Sequence, residues 1–127
     1  YAFLLYSPHS LCREFYIECT CNMMRPRTIV DYERIPWILD AGTVRITFDS
    51  DVRAAIGSYD IFDPGLPALS VLEPGKLILE VKFTEMLPQL LRDVLPPPAA
   101  EFTAVSKYVL CYEKTRYMNG FEYWYET

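Results

Sequence analysis

An α+β fold built on antiparallel strands, flanked by helices, is what this 127-residue sequence predicts, and three observations carry it. Short segments place charged or polar residues at every second position between apolar ones, as in Tyr32-Glu33-Arg34, Val44-Arg45-Ile46-Thr47-Phe48-Asp49 and Leu79-Glu80-Val81-Lys82-Phe83. Turn signals, Asp40-Ala41-Gly42 and Glu73-Pro74-Gly75, join such segments. Other stretches repeat apolar residues at three- and four-residue spacing, the mark of an amphipathic helix. Side chains alternate faces along a strand, so Arg45, Thr47 and Asp49 oppose Val44, Ile46 and Phe48, and Glu80 and Lys82 oppose Leu79, Val81 and Phe83. Strands of this kind closing round an axis with the ionic face inward would form a cation-lined cavity with an embedded carboxylate. Such a cavity suits linked phosphates and their metal.

Taken in order, Ser7-Pro8-His9-Ser10 opens a helix over 10–23, in which Leu11, Phe15 and Cys19 recur every four residues. Pro26 forces extended backbone, and 27–37 reads as a strand. The Asp40-Ala41-Gly42 turn leads into a strand over 43–49. The stretch 50–67 is punctuated by Gly57, Pro64, Gly65 and Pro67 and is expected to be irregular, with a short helical turn over 51–56. Segments 68–72 and 76–83 flank Glu73-Pro74-Gly75 as a second hairpin. Met86, Leu90, Leu91 and Val94 form one stripe of a helix over 86–95 with Pro88 in its first turn, and Pro96-Pro97-Pro98 stops it. Val105, Tyr108, Val109 and Tyr112 place Lys107 on a last helix, whose Glu113, Lys114 and Arg116 make a solvated face. The tail, with Tyr123, Trp124 and Tyr125, is aromatic enough to pack on the domain.

Composition narrows the function classes. One domain of this length can bury a core, and a hydrophobic content of 51% excludes a disordered tail. A net charge of −5 argues against nucleic acid as partner, because such binding needs exposed Lys and Arg, so an anion site must be local and enclosed. Cys12, Cys19, Cys21 and Cys111 form no Cys-x-x-Cys pair and His9 has no second ligand nearby, which leaves buried free thiols in a reducing cytosol. No run is long and apolar enough to span a bilayer, and no signal-peptide pattern is present. With Tyr1 at its start in place of Met, the chain reads as a fragment or trimmed product.

The succession Arg25-Pro26, Tyr32-Glu33-Arg34, Val44-Arg45-Ile46-Thr47-Phe48-Asp49, Leu79-Glu80-Val81-Lys82-Phe83 and Ser106-Lys107-Tyr108 resembles the vacuolar transporter chaperone (VTC) domain, the polyphosphate polymerase branch of the CYTH-like triphosphate tunnel proteins. Order and spacing agree from about Met24 to Tyr112. The resemblance implies that residues 1–127 are the C-terminal half of one such domain, a β tunnel with flanking helices that transfers the γ-phosphate of ATP to a growing polyphosphate chain. It implies Mn2+ or Mg2+ as cofactor, a cytoplasmic location, and an N-terminal half or second copy to complete the tunnel, without which the fragment is expected to be inactive. Carried over residue by residue, Arg34 and Arg45 match phosphate-holding tunnel arginines, Glu80 the metal-binding glutamate, and Lys107 the lysine near the transferring phosphate. Lys82, on the face of Glu80, is a further phosphate contact. Many members carry a second lysine three positions before the one matched by Lys107; here Ala104 stands there.

The residues alone support the chemistry. Phosphoryl transfer asks a protein chiefly for positioning and charge neutralisation, so arginine forks and a carboxylate-held metal suffice and no nucleophilic side chain is needed. Gathered cations in a water-poor site let an acidic protein bind a polyanion. Simpler readings stand beside these: Arg45 and Asp49 as an ion pair on a solvated face, Arg34 covering apolar surface with its stem, Lys107 facing solvent. Glu80 and Lys82 are too close in sequence to face each other well. A triphosphate hydrolase of the same tunnel superfamily and a non-catalytic polyphosphate-binding module are the alternative functions.

Overall fold

A computed structural model describes residues 1–95, 97 and 100–119. The aromatic run Tyr123 to Tyr125 and two residues of the proline stop, Pro96 and Pro98, lie outside the described residues. The fold is α+β on an open antiparallel sheet. Its centre is the twelve-residue β2 (Val44–Ala55), flanked on one side by β1 (Val30–Leu39) and on the other by β3 (Ala68–Ser70) and β4 (Ile78–Lys82). Among the described residues three α-helices accompany it: α1 (Ser10–Cys21), α2 (Gln89–Val94) and α3 (Lys107–Thr115).

Register decides which side chains share a face, because directly opposed residues of antiparallel strands project to the same side. Arg34 opposes Asp49, Pro36 opposes Thr47, and across β2 Thr47 opposes Glu80 and Arg45 opposes Lys82. Ile35, Trp37 and Leu39 oppose Phe48, Ile46 and Val44, so the ionic and apolar faces expected from the alternation both form.

The helical turn expected over 51–56 is instead the second half of β2. On β2 Ser50 pairs with Glu33 but Arg53 pairs with Asp31, so Asp51 and Val52 together oppose Tyr32 alone in a β-bulge. Asp51 takes a left-handed φ of 48° there. The extra residue shifts the two-residue phase, so no single alternation of buried and exposed residues runs the length of β2. It also keeps Asp49 and Val52 on the same face of the sheet.

The second expected hairpin is also absent. A turn does form at Glu73-Pro74-Gly75, with the Lys76 amide donating to the Glu73 carbonyl at 3.1 Å. Yet β3 and β4 both run antiparallel to β2 and so parallel to each other in direction, end to end along one edge. Residues 71–77 make a detour between them, anchored where the Val71 amide donates to the Val52 carbonyl at 2.9 Å.

Helix α3 starts at Lys107 with Ser106 as its N-cap, the Ser106 hydroxyl accepting from the Val109 amide at 3.3 Å. Four-residue spacing puts Lys107, Cys111 and Thr115 on one stripe. Cys111 and Thr115 are wholly buried, Cys111 against Val52 and Ala54 with Val30, Tyr32, Val71, Leu72 and Ile78 around them. Gly42 (φ 75°) closes the β1–β2 connection under the Met86 carbonyl, which any side chain at 42 would strike.

The core is small. The expected apolar stripe of α1 forms but is not covered: α1 packs on the short N-terminal 3-10 turn Ala2–Tyr6, and Leu11 and Phe15 stay exposed. Ile35, Trp37 and Phe83 on the apolar sheet face are exposed too. All four cysteines are free, but only Cys111 is buried and Cys21 is exposed, which corrects the expectation of uniformly buried thiols.

Candidate functional site

The bulge and the α3 stripe together build a charged cluster. Below the bulge the shared face is apolar and packs on Cys111; one helical turn earlier, α3 delivers Lys107 to Asp49, the last residue of that face above the bulge. Asp49 is completely buried. Arg34 grips it through two parallel bonds, Nε to Oδ1 at 2.6 Å and Nη2 to Oδ2 at 2.7 Å, and Lys107 Nζ donates to Oδ2 at 2.7 Å. Both cations also lie over the Tyr32 ring, Arg34 Cζ at 5.0 Å and Lys107 Nζ at 5.2 Å from its centroid.

Glu80 is the second carboxylate. Its Oε1 accepts from Lys82 Nζ at 2.8 Å, and its Oε2 stands 3.8 Å from Arg34 Nη2 and 3.9 Å from Lys107 Nζ. The expectation that Glu80 and Lys82 are too close in sequence to face each other well is thus corrected: residues two apart on a strand share a face, and the long lysine side chain spans the gap.

Electrostatics follow from these distances. The Arg34 hydrogen bonds, with Lys107 beside them, hold the Asp49 carboxyl down at about 2 against the opposing effect of burial, and the same bonds raise Arg34 above its ordinary value. Glu80 is lowered, first by its bond from Lys82. Like charges held this close repel, so Arg34 and Lys107 need Asp49 between them.

Three of the four residues expected to converge, Arg34, Glu80 and Lys107, do so. Arg45 does not. It is exposed and lies four residues from Asp49 on the same strand, about 13 Å away at strand rise, which rules out the Arg45–Asp49 ion pair. With its register partner Lys82 it forms the far end of a row along one face: Asp49, Arg34 and Lys107; then Thr47 and Glu80; then Arg45 and Lys82. The row is an open strip and not an enclosed pocket. Thr47 is buried and its Oγ1 has no hydrogen-bond partner among the described residues.

The sequence reading missed Asp49 as the hub and Tyr32 as the shared ring. Strand geometry could have found Asp49, because directly opposed residues share a face and Arg34 is the cation of the preceding strand.

The family model of the VTC domain matches residues 7–116. The chain belongs to the VTC domain family. The match covers the whole strip, from α1 through β1, β2 and β4 to the C-terminal end of α3, so the strip is part of a VTC domain, a family with polyphosphate-related function and associated with polyphosphate polymerase activity. Comparison with curated proteins and with solved structures found no match. In this VTC domain Ala104 sits exposed in the segment before α3, where it adds no cation to the strip. Among the described residues no group of three or more His, Cys, Asp or Glu side chains is placed to hold a metal, and no helix is long and apolar enough to cross a membrane.

Proposed function

We propose that this VTC domain chain forms the phosphate-binding wall of an ATP-dependent polyphosphate polymerase site, closed by further strands from a preceding segment or a second copy. The single observation that carries the reading is the row of cations on one sheet face, Arg34 and Lys107 at one end and Arg45 and Lys82 at the other, with Glu80 between. A run of linked phosphates needs that linear order of positive groups, whereas one phosphate would be served by a single cluster. The open ionic face and the exposed apolar residues Ile35, Trp37 and Phe83 support a wall that other strands complete.

In this reading a terminal oxygen of the acceptor chain attacks the γ-phosphorus of ATP; one P–O bond forms, the β–γ bridge breaks, and ADP leaves with the bridging oxygen. Arg34 and Lys107 hold and neutralise the oxygens of the transferring phosphoryl group, and Arg45 and Lys82 track the chain beyond it. Glu80 suits Mn2+ or Mg2+, because a hard divalent ion takes one or two protein carboxylates and completes its shell with phosphate oxygens and water. One-third exposed and bonded to Lys82 through one oxygen only, Glu80 has room for that. The bound ion would add charge neutralisation.

The test incubates the protein, together with its completing strands, with ATP and Mn2+. Chains resolved by gel support the polymerase; free phosphate alone supports the triphosphate hydrolase. Binding of tripolyphosphate without turnover supports the binding module, and absence of both ends the proposal. Glu80→Ala is expected to abolish metal-dependent turnover while metal-free binding is kept or tightened, since a carboxylate's repulsion is removed.

A further inference from the structure

We propose that Asp49 is the positioning residue of this phosphate site, fixing Arg34 and Lys107 as a preformed pair of cations for the incoming phosphates. The inference rests on the phosphate-binding reading above and adds a role for a carboxylate that, by charge alone, ought to oppose a polyanion.

The geometry separates positioning from mere neutralisation. Arg34 Nη2 and Lys107 Nζ each lie 2.7 Å from the same oxygen, Asp49 Oδ2, which bounds their separation at about 5.4 Å. The bonds to Asp49 use Nε and Nη2 of the guanidinium and one of three ammonium protons. Nη1 of Arg34 and two N–H groups of Lys107 are thereby left for phosphate oxygens. Asp49 itself is fully buried at the base of the cluster, while Arg34 and Lys107 retain 29% and 19% exposure, so the cations and not the carboxylate meet solvent. Tyr32 underlies both cations. Arg34, Asp49 and Lys107 come from three separate elements, β1, β2 and α3, and the two cations repel each other; among the described residues only Asp49 bonds to both within 2.7 Å. A site ordered before the ligand arrives loses less side-chain entropy on binding.

The experiment titrates tripolyphosphate calorimetrically, without metal and at one fixed low ionic strength, into the wild-type protein and Asp49→Asn. If Asp49 positions, the variant binds about ten-fold more weakly although it carries one more net positive charge. If Asp49 only neutralises, binding tightens or is unchanged, which overturns the proposal. Val71→Ala, which loosens the core away from the cluster, serves as the stability control and should bind as wild type does. Should Asp49→Asn not fold, a structure of the wild-type protein with tripolyphosphate decides: Asp49 still bonded to both cations supports the proposal, and either cation swung off Asp49 onto phosphate overturns it. A wild-type protein that binds no tripolyphosphate overturns the functional reading as well, whereas tight binding by both proteins overturns this inference alone.

Discussion

Arg34 and Asp49 are direct register partners on β1 and β2, and their side chains close a two-point fork at 2.6 and 2.7 Å in which the carboxylate is wholly buried. A lysine at 34 would keep the charge but not the fork, because an ammonium is a point donor that cannot span two carboxylate oxygens in plane. Arg34→Lys is therefore expected to lower unfolding free energy by about 1–2 kcal/mol, read from urea denaturation. Unchanged stability would mean that Lys107 alone satisfies Asp49.

The same fork sets an acid limit. Asp49 titrates at about 2 in the folded chain against an ordinary value of 3.8, and Glu80 is lowered as well. A carboxyl lowered by folding contributes stability that is complete above its unfolded value and is lost as pH falls toward the folded one. Asp49 accordingly contributes about 2 kcal/mol at neutral pH, lost between about pH 4 and pH 2. Denaturation midpoints measured across that range should fall steeply in the wild type and markedly less in Asp49→Asn. Parallel slopes would show that other carboxylates govern acid unfolding.

Strand alternation made much of this legible in advance. Arg34 and Glu80 stand in segments whose two-residue period puts charge on one face, whereas only its place in Ser106-Lys107-Tyr108 singles out Lys107, and the helical spacing that begins at Val105 starts two residues before α3 does. The bulge was not legible, because one inserted residue at Asp51 breaks a two-residue phase without any distinctive local composition. The end-to-end course of β3 and β4 escaped for a related reason: Glu73-Pro74-Gly75 is good turn chemistry, and a turn says nothing about which third strand its flanks pair with. The alternative ion pair of Arg45 with Asp49 fails because both stand on β2, and the residue across the sheet from Asp49 is Arg34. The exposure of α1 was equally invisible, since an amphipathic pattern predicts a covered face and not what covers it.

Thr47 offers a prediction of opposite sign. It is 4% exposed and its Oγ1 has no partner among the described residues, so the hydroxyl bears a desolvation cost without a compensating bond. Valine has nearly the same shape, prefers strands and carries no polar atom. Thr47→Val should raise the unfolding free energy by about 1 kcal/mol, seen as a higher melting temperature. A loss of stability would reveal that the hydroxyl is satisfied by ordered water.

The cap of α3 links folding to the site. Lys107 is the first residue of that helix, at the end where a positive charge opposes the helix dipole. Its placement beside Asp49 therefore depends on two compensations: the carboxylate, and the Ser106 hydroxyl that accepts from the Val109 amide and fixes where the first turn begins. Ser106→Ala removes the second and should cost about 1 kcal/mol in stability. It should also weaken tripolyphosphate binding more than a core variant of equal stability does, because fraying of the first turn displaces Lys107 before any other site residue. Asp at 106 would restore the cap but set a second carboxylate next to Lys107, so Ser106→Asp should recover stability while leaving binding impaired. Binding that follows stability alone across the three proteins would show that Lys107 is held by its ion pairs and not by the helix that carries it.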